Sequence, residues 1–507
     1  MLTKSKVRTS LLLVFGILVL INVVSNRFFL RLDFTEDQRY TLSDASKDIL
    51  SGLNDPVTVK AYFSENLPPD VEKVKTDFND LLIEYNNRSQ GNVVFEFINP
   101  SEDQQVEMEA QQNGVTPIMI NVREKDQMKQ QKAYLGAILQ MGDRKEVIPF
   151  IQPGAAMEFA LSSNIKKLSI VNKPKIGFLQ GHGEPSLQAI GQLMQQLNVM
   201  YQVVPVTIDD TTRIPADIKM LGIIAPKDSI NPAYLAEIDQ FISSGGRLMV
   251  AMNAVEGDLQ NGQGSELNTN FIEWLGSKGI NIGKEFVIDA NCASVTVRQQ
   301  QQFFVMNSQV RFPYIPILNN FIEHPITTGL EGVITPFVSP VSVSTPDSSL
   351  QIFALAKTSD KAGIQKPPLF FDVQKQWGET DFTSSEITVA AAIEGTIDGT
   401  PTKMVVFGDG DFVVNGEGQS ARQLSPDNIS LVANAVDWLS DDTGLISLRT
   451  KGVTARPIDP NLSDATKATI KYLNFTLPIL LIIIYGLYRA QIRRKIRNNL
   501  QQTDYVQ

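Results

Sequence analysis

Cysteine and histidine are nearly missing from this sequence. Its 507 residues include one cysteine, Cys292, and two histidines, His182 and His324. One thiol does not allow an intramolecular disulfide, a CxxC redox pair or a multi-cysteine zinc or iron–sulfur site. Two imidazoles likewise exclude a histidine-rich metal site. We therefore expect neither a bound metal nor a cofactor.

Phosphate-binding loops are also missing. No GxxxxGK[ST] string occurs, and the nearest string, GINIGKE at residues 279–285, lacks both the spacing and the hydroxyl that would bind Mg²⁺. Gly408 and Gly410 do not complete a GxGxxG fingerprint. The net charge of -10 argues against nucleic acid as a partner. The chain is thus expected neither to hydrolyse nucleotides nor to bind nucleic acid.

A hydrolytic nucleophile is missing where an α/β enzyme would need one. Hydrolases of this class place a cysteine or serine on a sharp turn after a strand, with a histidine as base. Here the predicted strand at residues 247–252 is followed by NAVE, and Cys292 stands in the glycine-free segment DANCAS. We therefore expect that the chain is not an enzyme and that Cys292 is a bystander thiol.

Positive charge is concentrated at the two ends of the chain. Residues 1–8 carry three basic residues and no acid, and residues 489–507 carry five basic residues against Asp504 alone. Without these ends the chain has 37 basic and 54 acidic residues, a net charge near -17. An acidic body lies between two basic termini.

The first long apolar run, LLLVFGILVLINVV at residues 11–24, predicts a transmembrane helix over residues 9–29. A cleaved signal peptide is the alternative, because basic residues precede the run. No small-x-small cleavage site closes it, since the sequence continues as SNRFF. We therefore expect an uncleaved anchor that follows a cytoplasmic tail of residues 1–8.

The second run, YLNFTLPILLIIIYGLY at residues 472–488, contains no charge and predicts a second transmembrane helix. Its aromatic residues suit membrane interfaces, and Pro478 is tolerated in such a helix. A buried core helix is the alternative, but a strongly basic segment follows directly. We expect a stalk over residues 457–471 and a cytoplasmic tail over residues 489–507 that contacts anionic membrane lipid, with a cytoplasmic protein partner as the alternative.

Basic residues before the first helix and after the second place both termini in the cytoplasm, by the positive-inside rule. The acidic body then lies on the opposite side of the membrane. Two helices do not enclose a pore, so the chain alone is not a permease. We interpret it as an ectodomain anchored at both ends.

The first part of the body, residues 35–171, predicts a βαβ–α–ββα order. Predicted strands cover residues 55–64, 92–98, 116–122 and 134–141, and predicted helices cover residues 69–88, 102–112 and 157–168. This order resembles a thioredoxin-like fold, in which a cis-proline precedes the third strand. We therefore expect a cis Thr116–Pro117 bond. Without redox cysteines, such a domain is a scaffold.

The second part of the body, residues 172–456, alternates strands with helices. Predicted strands cover residues 175–179, 201–206, 220–225, 247–252, 285–288 and 403–407, and predicted helices cover residues 186–197, 232–243, 268–278 and 427–439. Continuous apolar strands separated by helices predict a doubly wound parallel sheet. Residues 290–400 interrupt the pattern, so we expect a β-rich insertion or small subdomain there. Residues 446–456 predict a final strand.

Five candidate ligand-binding residues follow the predicted parallel strands, because ligands of such sheets bind at the carboxyl ends of strands. They are His182 and Glu184 in a GHGE turn, Asn253, and Asp409 and Asp411 in a GDGD turn. A histidine and three carboxylates at one edge would suit a metal or acid–base chemistry. The alternative, which we favour, is structural: the glycines form tight turns, while His182 and Glu184 cap the following helix.

Several strings in a fixed order resemble the GldG family of gliding-motility-associated ABC transporter auxiliary (substrate-binding) proteins. They are the first anchor, KIGFLQGHGE at residues 175–184, VVFGDGDFVVN at residues 405–415, NAVDWLS at residues 434–440, and the final membrane helix. The resemblance covers nearly the whole chain. It implies a permease subunit and a separate ATPase subunit as partners, and an amidotransferase-like second domain that lacks catalytic residues. It assigns no ligand residues.

We therefore expect a non-catalytic ABC transporter subunit in the inner membrane of a gliding bacterium, with a large periplasmic domain that binds a substrate or an envelope protein. The first alternative is a membrane-tethered hydrolase or ligand-binding enzyme that uses the GHGE turn. The second is a purely structural envelope linker.

Overall fold

The computed structural model describes residues 41–65, 67–124, 127–152, 156–170, 173–301, 304–344, 350–397, 400–418, 421–450 and 464–502, with positions 13 and 16. The chain divides into two compact units, residues 1–452 and 453–507. The predicted first transmembrane helix, residues 9–29, lies outside the described residues apart from those two positions.

The helices of the described residues are α1 (Asp44–Ser51), α2 (Pro69–Arg88), α3 (Gln104–Gln112), α4 (Met157–Ser169), α5 (Gly191–Leu197), α6 (Pro232–Ser243), α7 (Asn270–Ser277), α8 (Pro426–Ser440) and α9 (Asp464–Gln502). Short 3₁₀ helices cover Glu379–Asp381, Asp411–Val413 and Leu445–Thr450.

The strands before the long hairpin are β1 (Val57–Phe63), β2 (Val93–Ile98), β3 (Ile118–Glu124), β4 (Gln127–Ala133), β5 (Leu135–Met141), β6 (Arg144–Ile148), β7 (Lys175–Leu179), β8 (Gln202–Val206), β9 (Ile218–Ile224), β10 (Arg247–Ala251), β11 (Val255–Asp258), β12 (Gln263–Glu266), β13 (Ile280–Ile282) and β14 (Phe286–Asp289). The later strands are β15 (Cys292–Gln301), β16 (Phe304–Leu318), β17 (Asn320–Phe321), β18 (Val333–Ile334), β19 (Val341–Val343), β20 (Gln351–Lys357), β21 (Ala362–Gln365), β22 (Leu369–Phe370), β23 (Thr388–Ile397) and β24 (Thr400–Phe407).

The first sheet has the order β2-β1-β5-β6. Strand β1 is parallel to β2 and antiparallel to β5, and β5 is antiparallel to β6. Alternate residues of β1 point into the core, together with an apolar stripe of α2 that includes Val74, Phe78, Leu82 and Tyr85. The rings of Phe63 and Phe78 stack with their centroids 5.6 Å apart. The spacing of three and four residues along α2 thus produces the predicted buried face.

The expectation of a cis Thr116–Pro117 bond is wrong. In the described residues the cis peptide bond joins Pro367 and Pro368. The strand after Pro117 does not enter the central sheet: β3 pairs with β4 in a separate hairpin, and β5 pairs with β1 instead. The local β3–β4 hairpin therefore takes the place that the sequence pattern assigned to a third central strand.

The second sheet has eight strands in the order β17-β20-β23-β24-β10-β9-β7-β8. Strands β8, β7, β9, β10 and β24 are parallel neighbours, whereas β23, β20 and β17 continue the sheet in antiparallel pairings. Apolar residues of α5 and α8 contribute to the core on one face, and those of α6 and α7 to the core on the other. The sheet is thus mixed, with helices on both faces around the predicted parallel part.

The segment at residues 290–400 is only partly the separate β-subdomain that its sequence predicts. Strands β17, β20 and β23 extend the main sheet, and β23 is buried in it through Ala390, Ala391 and Ala392. The remaining strands form small sheets around an aromatic cluster, which contains Phe286, Phe312, Tyr314, Phe337 and Phe371. The small alanine side chains of β23 fit between the cores on the two faces of the main sheet, and this allows the strand to join that sheet.

The segment before the last helix also differs from its prediction. Residues 446–450 belong to a 3₁₀ helix and not to a strand. Helix α9 has 39 residues and carries exposed apolar side chains throughout residues 472–488. Within the described ranges it is the one helix long and apolar enough to cross a membrane, over residues Ala465–Asn498.

Replacing Phe286 by Ala is expected to destabilise the body by about 3–5 kcal/mol, because the ring is 0% exposed and meets Tyr314, Phe337 and Phe371 edge to face. Replacing Phe370, which is 79% exposed, by Ala is the matched control and should change the free energy of unfolding by less than about 0.5 kcal/mol. Denaturant unfolding of both variants measures the difference. Equal effects would contradict the assignment of Phe286 to a core.

Candidate functional site

The turns that follow β7, β9, β10 and β24 lie side by side at the carboxyl edge of the main sheet, because parallel neighbours end at the same edge. Backbone hydrogen bonds continue between the strands beyond their last residues. The amide of Ala225 donates to the carbonyl of Ala251 at 2.8 Å, and the amide of Met252 donates to that of Phe407 at 3.0 Å. All five sequence-predicted candidate residues lie on these turns.

The GHGE turn is fixed to the turn after β9. Gly181 and Gly183 have φ angles of +115° and +80°, which L side chains rarely adopt. The carbonyl of His182 accepts hydrogen bonds from the amides of Lys227 and Asp228, at 3.0 and 2.9 Å. A Cβ on Gly183 would lie 2.9 Å from Cβ of Lys227. The two glycines are therefore required by backbone conformation and close approach.

His182 and Glu184 contact each other instead of capping a helix. Glu184 Oε2 accepts a hydrogen bond of 2.6 Å from the His182 amide, and Oε1 lies 3.4 Å from His182 Nδ1. Burial would raise the pKa of Glu184, but hydrogen bonds from the His182 side chain and backbone lower it overall. The expected capping role is wrong, because α5 begins only at Gly191 and its N-cap is Ile190.

The GDGD turn is fixed to β10 by Asn253. Its Oδ1 accepts a 2.7 Å hydrogen bond from the Gly410 amide, and its Nδ2 donates to Asp411 Oδ2 at 2.9 Å. A Cβ on Gly410 would lie only 2.7 Å from Cβ of Ala225 and from the carbonyl oxygen of Ala251. Glycine is thus required at 410 by the neighbouring strands.

Asp409 is the most deeply buried acid at this edge, with 1% of its surface exposed. Its Oδ1 accepts hydrogen bonds from the amides of Asp411 and Phe412, at 2.7 and 3.2 Å. Its Oδ2 is buried and has no hydrogen-bond partner. Burial, and next the charge of Asp411, raise the pKa of Asp409 well above its ordinary value. Burial also raises the pKa of Asp411, against the opposing charge of Lys227.

The structure therefore brings the five candidates to one edge but into two separate networks. Asn253, Asp409 and Asp411 form one, and His182 and Glu184 form the other. Among the described residues, no group of three or more His, Cys, Asp or Glu side chains is placed to hold a metal ion. The hydrogen bonds of both networks go chiefly to backbone groups of the turns, and this arrangement positions the turns.

Cys292 and His324, the remaining thiol and imidazole side chains of the sequence, lie away from the five candidate residues. Burial raises the pKa of the Cys292 thiol at the start of β15, which disfavours the reactive thiolate. His324 Nδ1 accepts a hydrogen bond from the Ile326 amide at 3.2 Å, and its ring packs against Trp438. Burial lowers the pKa of His324 to about 4. Neither residue reaches the carboxyl edge.

Sequence reasoning missed a second polar region, where α4 meets α8 and the 3₁₀ helix Leu445–Thr450. We call the part of residues 1–452 that contains the first sheet and α4 the first domain, and the part that contains the eight-stranded sheet the second domain. Tyr201 donates a hydrogen bond to buried Asp437 at 2.9 Å, and Arg449 donates to Asn434. The sequence contained a sign of this polar region, because Asn434 and Asp437 belong to the string NAVDWLS. Its polar residues on an otherwise apolar helix indicate buried hydrogen bonds.

Comparison with known proteins gives two family matches. A family of ABC transporter auxiliary components, described as an ABC-type uncharacterized transport system, matches residues 173–440. A domain of unknown function matches residues 36–140. An uncharacterized protein of Borreliella burgdorferi is 22% identical over an alignment of 496 positions, which covers 92% of this chain and 94% of that protein.

Solved structures with related folds share little sequence with this chain. They include the mmIFT52 N-terminal domain (TM-score 0.35, 14% identity, 53% of this chain and 98% of that one) and a putative ThuA-like protein from Parabacteroides merdae (0.29, 11%, 57% and 94%). A glutamine amidotransferase from Methylobacillus flagellatus has a TM-score of 0.24 and 9% identity, over 58% of this chain and all of that one. These TM-scores are too low to support an argument about function.

Replacing Asp409 by Asn should make stability less sensitive to rising pH. The native protein keeps the Asp409 proton where the unfolded chain, with its ordinary pKa of 3.8, has lost it. The stability that Asp409 contributes is therefore complete below that pKa and is lost as the pH rises through the native pKa. The free energy of unfolding of D409N minus that of the wild type should increase between about pH 4 and pH 8.

Urea unfolding at several pH values measures this difference. The control is D143N, which removes an exposed charge from the turn between β5 and β6. A D409N difference that stays constant, or falls with pH, would show that Asp409 is not held protonated by its surroundings.

Proposed function

Since this chain belongs to the family of ABC transporter auxiliary components, we propose that it is a non-catalytic, membrane-anchored subunit of an ABC transporter complex. It binds a permease subunit in the membrane, while a separate ATPase subunit supplies the energy. This division of labour agrees with a sequence that lacks a phosphate-binding loop and has too few membrane helices to enclose a pore.

Helix α9 carries this proposal. Its side chains from residue 472 to residue 488 are exposed and mostly apolar. The most apolar stretch of the helix is not buried by any other part of the described chain. An apolar surface of this length is unfavourable in water and matches the thickness of a membrane. Lipid and the helices of a permease are the surroundings that would cover it.

The membrane is a bacterial inner membrane, crossed twice, with both termini in the cytoplasm. Support comes from the basic residues before residue 9 and after residue 488, which follow the positive-inside rule. In this topology the basic continuation of α9 lies at the cytoplasmic surface and contacts anionic lipid. The first span rests on the apolar run at residues 11–24.

The periplasmic body binds a substrate or an envelope protein. Its thioredoxin-like first domain serves as a scaffold, in keeping with the absence of a CxxC pair from the sequence. A function in gliding motility rests on the resemblance of the ordered strings to the GldG family. A non-catalytic role is favoured by the carboxyl edge, where Asn253, Asp409 and Glu184 each use one side-chain oxygen to accept hydrogen bonds from backbone amides.

Purification of the full chain in mild detergent should recover a multi-span protein and an ATPase in fixed ratio. Replacing residues 473–487 by leucine should keep the chain in the membrane but release both partners, because side-chain complementarity between helices is lost. Quantitative mass spectrometry of the purified complexes measures the ratio. The matched control is His182→Ala, which leaves α9 unchanged and should retain both partners.

Recovery of the wild-type chain without either partner would overturn the proposal. Full retention of both partners by the leucine variant would exclude α9 as the permease contact.

A membrane-tethered hydrolase is the second candidate, favoured by the contact of 3.4 Å between Glu184 and His182. The variants His182→Ala and Glu184→Gln distinguish the two functions. For an auxiliary subunit, transport in cells that carry either variant should fall only as far as the amount of folded protein falls. Transport and protein level are measured in the same cells. Loss of transport at an unchanged level of folded protein would favour the enzyme.

A further inference from the structure

A cavity of about 250 Å³ lies between the two domains of the body. Helix α4 of the first domain forms one wall, and α8 and the 3₁₀ helix Leu445–Thr450 of the second domain form the opposite wall. It is separate from the carboxyl edge, and none of the five candidate residues lines it. The volume accommodates a small organic molecule.

Three cationic side chains line this cavity: Arg449, Lys166 and Lys167. The Arg449 guanidinium donates to the neutral amide oxygen of Asn434 and lies 5.6 Å from the centre of the Phe159 ring. Burial lowers the pKa of Arg449, and the charge of the nearby Asp437 opposes this shift. A partly buried guanidinium with a neutral partner is costly unless a negative charge approaches it.

The two lysines have only distant partners. Lys166 Nζ lies 3.5 Å from Thr443 Oγ1 and 4.0 Å from Asp441 Oδ1. Lys167 Nζ lies 3.7 Å from Glu146 Oε2. Neither lysine forms a short ion pair, although the Asp441 side chain is only 6% exposed. Both ammonium groups therefore remain available to a ligand.

The two acids of the cavity are engaged with protein groups. Asp441 accepts hydrogen bonds from the amides of Thr443 and Ile446, at 3.0 and 2.8 Å, and so stabilises the start of the 3₁₀ helix. Asp437 accepts the hydrogen bond from Tyr201. Burial raises the pKa of Asp437, which weakens it as a counter-ion for Arg449. The lining thus holds three basic side chains against these two acids, so its charge balance is positive.

We propose that this cavity binds a small molecule that carries a phosphoryl group. Three basic residues in one lining exceed what a singly charged carboxylate requires, and they suit a dianionic phosphate monoester, which a guanidinium binds through two parallel hydrogen bonds. The cavity is also lined by Phe159, Met200 and Ile446, so the remainder of the ligand contacts an apolar wall. The ligand bridges Lys166 of the first domain and Arg449 of the second.

This inference goes beyond the proposed transporter role and does not depend on it. A ligand bridging α4 and the 3₁₀ helix would stabilise the contact between the domains.

The test measures binding of phenyl phosphate to the full-length protein in phosphate-free detergent buffer, by calorimetry and by the shift in melting temperature. Benzoate is the chemical control, because it keeps the ring and replaces the phosphoryl group by a carboxylate. Wild-type protein should bind phenyl phosphate saturably and more tightly than benzoate. Lys166→Gln should weaken binding about tenfold, and Arg449→Gln should weaken it more.

Lys284→Gln is the matched control variant, since Lys284 pairs with Glu266 outside the cavity; its affinity should equal that of the wild type. The melting temperature without ligand shows whether each variant is folded, and if Arg449→Gln is not, the partly exposed Lys166 still decides the question. The absence of saturable binding up to about 10 mM phenyl phosphate would overturn the proposal. Equal affinity in wild type and Lys166→Gln, or tighter binding of benzoate, would also overturn it.

Discussion

A buried carboxyl group that serves backbone amides is the interaction on which the carboxyl edge of the main sheet depends. Asp409 accepts from the amides of Asp411 and Phe412, and its other oxygen has no partner. A charge in this position would cost several kcal/mol, so the edge is most stable with a neutral Asp409. Asn253 then joins this turn to β10, and Gly410 leaves room for neighbouring backbone. The turns after β24, β10 and β9 are thereby held together, and the GHGE turn is fixed separately through the carbonyl of His182.

Rigid turns of this kind resemble a catalytic edge in sequence but differ from one in chemistry. A catalytic carboxylate or imidazole must direct a lone pair or a proton towards a substrate. At this edge Glu184 accepts from the His182 amide, and Asn253 accepts from Gly410. The cavity between the domains has the opposite character, because Arg449 and Lys166 have cationic groups without close anionic partners. The cavity and the carboxyl edge therefore differ in the sign of the charge that lines them, and the proposed anionic ligand suits the cavity.

The parallel strands and their turns could be predicted because a strand buried on both faces has a continuous apolar run, as in β7 and β10. The same reasoning placed His182, Glu184, Asn253, Asp409 and Asp411 at one edge. It could not show that Asn253 binds the GDGD turn, because its hydrogen bonds to Gly410 and Asp411 join residues more than 150 positions apart. The pairing of β23 with the main sheet, and of β3 with β4 after Pro117, depends likewise on competition between strands. The Arg449 cavity requires two domains to be in place.

Most polar groups of the body form hydrogen bonds within the body itself. Few of its features are therefore left to contact a partner or a ligand. Parallel strands are covered by helices on both faces, and the turns at the carboxyl edge are joined by hydrogen bonds. Apart from a few buried polar atoms without partners, such as Asp409 Oδ2, the described residues leave two larger features uncovered: an apolar helix of membrane length and a cationic cavity between α4 and α8. The first requires lipid or other membrane helices, and the second requires an anion. Both features agree with the membership of this chain in the family of ABC transporter auxiliary components.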